Sequence, residues 1–93
     1  MIRSVKDKRI PDIRAGISIK GFPADLVSRA QRRLAQLDAA VDVNDLRVPP
    51  SNRLEMLRGD RAGFYSIRIN DQWRICFEWK DGDAFDVDIV DYH

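Results

Sequence analysis

The hydrophobic pattern of this chain changes period once, and the change falls at Pro49-Pro50. Ahead of the prolines, Leu26, Val27, Ala30, Leu34, Leu37 and Val41 lie within about 100° of one another on a helical wheel, the stripe of an amphipathic helix. Behind them the apolar residues alternate: Tyr65, Ile67 and Ile69, then Trp73, Ile75, Phe77 and Trp79, then Phe85, Val87 and Ile89. Helix-period sequence followed by strand-period sequence predicts an α+β fold, with helices laid on one face of a mostly antiparallel sheet.

The spacing predicts a helix over Pro23–Val41, with Pro23 in its first turn and Asp25 complementing its dipole. A weaker helix is expected over Lys6–Ala15, with Pro11 in its first turn, and a short edge strand over Ile2–Val5. Asp42 or Asn44 offers a cap for a turn over Val43–Leu46. A first strand is expected at Leu54–Leu57. Turns at Asn70-Asp71-Gln72 and Asp81-Gly82-Asp83 divide the remainder into Phe64–Ile69, Trp73–Trp79 and Ala84–Tyr92.

A chain of 93 residues holds one modest core, so residues 1–93 are expected to form a single domain. No apolar run approaches the roughly 18–20 residues that span a bilayer, and residues 1–20 lack the apolar block of a secretory signal. One cysteine, Cys76, makes no internal disulfide, and one Cys with one His builds no zinc site alone. A cytoplasmic protein without membrane association or structural metal is therefore expected. The net charge of +1 conceals an asymmetry: residues 1–75 hold fifteen Lys/Arg against nine Asp/Glu, and residues 76–93 hold one against six. Twelve of the cations are arginine, whose planar fork suits phosphate.

Register follows from keeping apolar residues together. Three-residue loops pair Ile69 with Trp73, Ile67 with Ile75 and Tyr65 with Phe77. They then pair Trp79 with Phe85, Phe77 with Val87 and Ile75 with Ile89. On the opposite face Arg68 lies across from Arg74, Ser66 from Cys76, Cys76 from Asp88, and Glu78 from Asp86. Tyr92 stands one pleat beyond Val90, within diagonal reach of Arg74. Two facing arginines call for an anion: Asp88, Asp86, the chain carboxylate or a ligand phosphate. The terminal Asp91-Tyr92-His93 brings an acid, a phenol and the only imidazole, whose ordinary pKa is about 6.5, to the same end of the sheet. Arginines beside acid–base groups suggest phosphodiester chemistry. Cys76 reads as a small spacer, Trp73 and Trp79 as core, and Arg29 and Arg32 as solvated helix surface.

These residues carry a family resemblance. The stretch Arg53–His93, above all LRGDRAGFYSIRINDQWRICF and the terminal VDYH, closely resembles the HigB family of RelE-like toxins, and LRVPPSNRLE ahead of it also fits. The resemblance implies a small α+β domain and a toxin of a type II toxin–antitoxin system, a ribosome-dependent endoribonuclease that cuts mRNA without metal or cofactor. It also implies a partner antitoxin, HigA-like with a helix-turn-helix, through which alone DNA would be contacted. In metal-free RNA cleavage the 2′-hydroxyl is the nucleophile, and the enzyme supplies a base, an acid and cations for the phosphorane.

His93 then reads as acid or base, its charged form favoured by the terminal carboxylate. Arg74, with Arg68, stabilises charge on the phosphate. Tyr92 stacks on a base or orients the phosphate, and Asp91 matches the family's terminal triplet while pointing toward the apolar face. Some family members carry a second His where this chain has Glu55, which can serve as a base. Arg58 and Arg61 follow on the same segment as RNA contacts. Pro11 is a second departure. An alternative reading is a growth inhibitor that occupies the ribosome or rRNA without cutting, neutralised by the same antitoxin. No helix-turn-helix pattern supports DNA binding by this chain.

Overall fold

The computed structural model describes residues 1–92. Two helices, α1 (Ile10–Arg14) and α2 (Val27–Ala39), precede a four-stranded antiparallel sheet in the order β1 (Glu55–Met56), β2 (Phe64–Arg68), β3 (Trp73–Lys80) and β4 (Asp83–Asp91). This is the α+β arrangement the period change predicts. Among the described residues, no helix is long and apolar enough to cross a membrane.

Val27, Ala30, Leu34 and Leu37 of α2 and Ile10 and Ile13 of α1 are buried in one cluster with Ile67, Ile75, Phe77, Val87 and Ile89 of the sheet. Each Val, Leu, Ile or Phe side chain among them contributes about 1.5–3 kcal/mol when fully buried. Phe22 sets its ring edge-on to Trp73 at 5.0 Å, placing both tryptophan and phenylalanine in the core.

Both helices are shorter than expected. The backbone before α1 is used elsewhere: Lys6 and Asp7 donate their N–H groups to Val87 O at 2.8 and 3.3 Å, and α1 starts with Pro11 in its first turn. The segment around Ile2 and Val5 forms parallel bridges to Ala84 and Val87, covering the outer edge of β4. A 3₁₀ turn at Ala24–Leu26 leads into α2, and the helix stops at Ala39. Val41, expected in its stripe, is 80% exposed. A reciprocal cap explains the early stop: Asp42 accepts from Asn44 N at 2.8 Å, and Asp45 accepts from Val41 N and Asp42 N, both at 3.1 Å, opening a separate 3₁₀ turn over Val43–Arg47.

The β2–β3 pairing follows the expected register, with Tyr65↔Phe77, Ser66↔Cys76, Ile67↔Ile75 and Arg68↔Arg74. Asn70 Oδ1 accepts from Gln72 N and Trp73 N at 2.9 and 2.7 Å and so fixes the loop. The β3–β4 pairing corrects the expectation near its turn. Glu78 faces Phe85, not Asp86, and Trp79 faces Ala84, not Phe85. Asp81 and Gly82 both have positive φ, 53° and 81°, as a two-residue Asp-Gly hairpin turn requires. The register shifts between Cys76 and Glu78, and Asp86, at φ 52°, is the residue in the left-handed conformation on the facing strand. Its N–H donates to Ser4 Oγ at 2.8 Å. Beyond the bulge the expected pairs return, Cys76↔Asp88, Ile75↔Ile89 and Arg74↔Val90. A two-residue turn is thus combined with one extra residue in β4, which restores the register of the longer loop.

Candidate active site

On the sheet face opposite the helices, one residue from each strand forms a row: Glu55, Ser66, Cys76 and Asp88. The next row carries Arg68 and Arg74. The middle of this face is enclosed. Ser66 is 0%, Cys76 1% and Arg74 7% exposed. A buried guanidinium needs partners, and Arg74 has several. Its Nε donates to Ser66 Oγ at 2.8 Å, and its Nη2 donates to Arg53 O at 2.6 Å and to Ser66 O at 3.2 Å. Its Nη1 lies 3.9 Å from Glu55 Oε1. Arg53 presents that carbonyl from a left-handed conformation, φ 45°, at the end of the 3₁₀ turn over Pro50–Asn52.

Tyr92 lies over this arginine, with Arg74 Cζ 5.9 Å from its ring centroid. The Tyr92 N–H donates to Gln72 O at 2.5 Å, which ties the chain beyond β4 to the β2–β3 loop. Burial, then the neighbouring Cys76, raises the Tyr92 phenol against the pull of Arg61 and Arg74. The phenol therefore stays protonated at neutral pH. Burial likewise pushes the Cys76 thiol up, despite Arg61, a hydrogen bond with Tyr92 and Arg74. A buried neutral thiol is a poor nucleophile, in keeping with a spacer.

The candidate residues do not all converge. Arg74, Glu55 and Tyr92 come together, and Arg61 acts electrostatically on both Cys76 and Tyr92 while its guanidinium stands 5.6 Å from the Phe64 ring. Arg68 faces Arg74 in register, but its guanidinium is paired with Asp71, and neither Asp88 nor Asp86 bridges the two arginines. Arg58 is exposed beside the 3₁₀ turn at Gly59–Arg61. Asp91 pairs in register with Trp73, on the core-facing side of the strand end, and accepts from Gln72 Nε2 at 3.2 Å. His93 lies outside the described residues. Arg29, read as surface, also closes the sheet end by donating to Ile69 O at 3.3 Å.

Two participants were missed from sequence. Ser66 was legible in principle, because the register sets it beside Cys76 and diagonal to Arg74. The Arg53 carbonyl carries no sequence signal, since a left-handed arginine is not marked by its side chain.

The chain superposes on a solved chain of the YoeB–YefM complex from Staphylococcus aureus with a TM-score of 0.62, covering 100% of this chain and 98% of that one at 18% identity. A chain from the YoeB dimer of the same organism gives 0.59 at 18% identity, covering 99% and 97%. At such identity the shared property is the fold alone, a small α+β domain with helices on one face of an antiparallel sheet.

The family is more specific. Residues 14–93 match the family described as the RelE-like toxin of the type II toxin–antitoxin system HigB. "Endoribonuclease HigB" of Proteus vulgaris is 36% identical over 93 residues, 100% of both chains. "Toxin HigB-1" of Vibrio cholerae serotype O1 is 45% identical over 66 residues, 71% of this chain and 70% of the relative. The chain belongs to the HigB family of RelE-like toxins.

Proposed function

We propose that this chain is the toxin of a type II toxin–antitoxin pair and an endoribonuclease that cleaves mRNA on the ribosome in the cytoplasm, without metal. The observation that carries the reading is the buried Arg74, with Glu55 3.9 Å from its Nη1 and the Tyr92 ring over its guanidinium. The full-length relative named an endoribonuclease supports the activity. The family supports an antitoxin partner, for which a HigA-like helix-turn-helix protein is the proposed identity, with DNA contacted only through it.

In this reading the 2′-hydroxyl attacks the adjacent phosphorus and the bond to the 5′-oxygen breaks. The Glu55 carboxylate takes the proton from the 2′-hydroxyl, and the His93 imidazolium gives one to the leaving 5′-oxygen. Charge grows on the non-bridging oxygens, where a pre-positioned Arg74 stabilises it without reorganising. Tyr92, as a neutral phenol held against Arg74, presents a ring for stacking and a donor for the phosphate. Arg61 adds charge at the same end, Arg58 and Arg68 contact RNA phosphates at the rim, and Asp91 holds the end of β4.

The products test the chemistry. Attack by the 2′-hydroxyl leaves a 2′,3′-cyclic phosphate and a 5′-hydroxyl. Ends bearing a 5′-phosphate would contradict the proposed route. A second reading, ribosome occupancy without cleavage, draws on Glu55 standing where some family members carry His. It predicts translation arrest with intact mRNA.

A further inference from the structure

Arg74 supplies its charge from a fixed position, and the fixing is done by residues outside the proposed reacting set. Ser66 contributes two acceptors to the one guanidinium: its hydroxyl to Nε at 2.8 Å and its carbonyl to Nη2 at 3.2 Å. The Arg53 carbonyl adds the third at 2.6 Å. These bonds occupy Nε and Nη2, while Nη1 is the nitrogen that faces Glu55. Ser66 sits in the middle of the sheet, paired with Glu55 on one side and Cys76 on the other, and is fully buried.

Without the Ser66 hydroxyl, a long arginine side chain has other rotamers within reach. It also faces the unfavourable nearness of Arg68 across the strand pair. Among the described residues, the hydroxyl's hydrogen-bond partner is the Arg74 guanidinium.

From this we infer that Ser66 is a positioning residue for RNA cleavage: it orients the Arg74 guanidinium so that Nη1 is directed at the scissile phosphate beside Glu55. The inference rests on the proposed role of Arg74 and adds the residue that makes that role effective.

The test is single-turnover cleavage on translating ribosomes by the full chain and its Ser66→Ala, Ser66→Thr, Arg74→Ala and Ser66→Ala/Arg74→Ala variants. Misplacement of a reacting group by about 1 Å costs up to about 100-fold, so Ser66→Ala is expected to lower the cleavage rate about 10–100-fold with little change in the concentration giving half-maximal rate. Ser66→Thr, which restores a hydroxyl acceptor, is expected to recover most of the rate. In the Arg74→Ala background, Ser66→Ala is expected to cost nothing further. If Ser66→Ala does not fold, Ser66→Cys, of similar volume but a weak acceptor, takes its place and is expected to lose rate in the same way. A folded Ser66→Ala that cuts at the wild-type rate while Arg74→Ala is inactive overturns the inference and leaves the proposed function standing. Equal losses from Ser66→Ala with and without Arg74 also overturn it. A fully active Arg74→Ala overturns the role of Arg74 itself.

Discussion

The Arg74 guanidinium lies 5.9 Å from the centre of the Tyr92 ring, Arg74 standing on β3 and Tyr92 just past the end of β4, its hairpin partner. The ring both partly covers the cation and is held by it. Contact of this kind contributes about 0.5–2 kcal/mol according to its exposure. In the proposed mechanism the ring of Tyr92 therefore carries more of its role than the hydroxyl does. Tyr92→Ala is expected to lower RNA cleavage by about tenfold or more, the equivalent of roughly 1.4 kcal/mol, and Tyr92→Phe to lower it much less. Cleavage rates for the two variants on translating ribosomes decide this. Equal losses in both would assign the role to the hydroxyl.

Glu55 stands opposite Ser66 in register and nearest, among acids of the described residues, to Arg74. Glu55→Gln keeps the shape and removes the proposed proton acceptor. Cleavage is expected to fall about 10²–10⁴-fold. A folded Glu55→Gln variant that retains the wild-type rate would remove Glu55 from the reaction.

Asp86 tests the bulge. It is a non-glycine residue at φ 52°, a conformation that glycine adopts without strain. Asp86→Gly is expected to leave stability unchanged or raise it by up to about 1 kcal/mol, and Asp86→Val to lower it by about 1–3 kcal/mol. Urea unfolding of both variants gives the comparison. If valine is tolerated as well as glycine, β4 does not run through a left-handed residue there.

Asp7 and Arg9 clip the N-terminal segment to the sheet. Arg9 donates to Asp7 through Nε and Nη2, to Gly21 O at 2.7 Å and to Ile89 O at 3.3 Å, and its guanidinium lies 5.8 Å from the Trp73 ring centroid. Burial would raise the Asp7 carboxyl, but its bonds with Arg9 outweigh that and hold it below the ordinary value of 3.8. A carboxyl lowered on folding contributes stability that is complete above the unfolded pKa and is lost as pH falls through the folded one. Asp7→Asn is expected to cost about 1–3 kcal/mol at neutral pH. The gap between variant and wild type should close as pH falls below 3.8. Thermal melts at neutral and acid pH measure it. A gap that persists in acid would assign the cost to shape rather than charge.

Much of this architecture was legible because it rests on periodicity. The stripe of Leu26, Leu34 and Leu37 and the alternation around Ile67, Ile75 and Ile89 each admit one packing, and the β2–β3 register follows from them. What failed to read rests on local hydrogen bonding. The end of α2 is decided by the Asp42–Asp45 cap and the start of α1 by donors given to Val87, neither of which alters the hydrophobic pattern. The site divides in the same way. The facing of Arg68 and Arg74 was legible, but Asp71 takes Arg68 aside, and the anchoring of Arg74 depends on a backbone carbonyl that no side chain announces.

Arg74 is proposed to serve RNA cleavage on the ribosome, and primer extension across mRNA in a purified translation reaction, with wild-type chain, Arg74→Ala and a chain lacking His93, decides whether it does. New 5′ ends are expected with wild type only when ribosomes are translating, and are expected to vanish in both variants while each keeps its wild-type fold by circular dichroism. Translation blocked by wild type with the mRNA intact, or the same cuts from folded Arg74→Ala, would rule that role out.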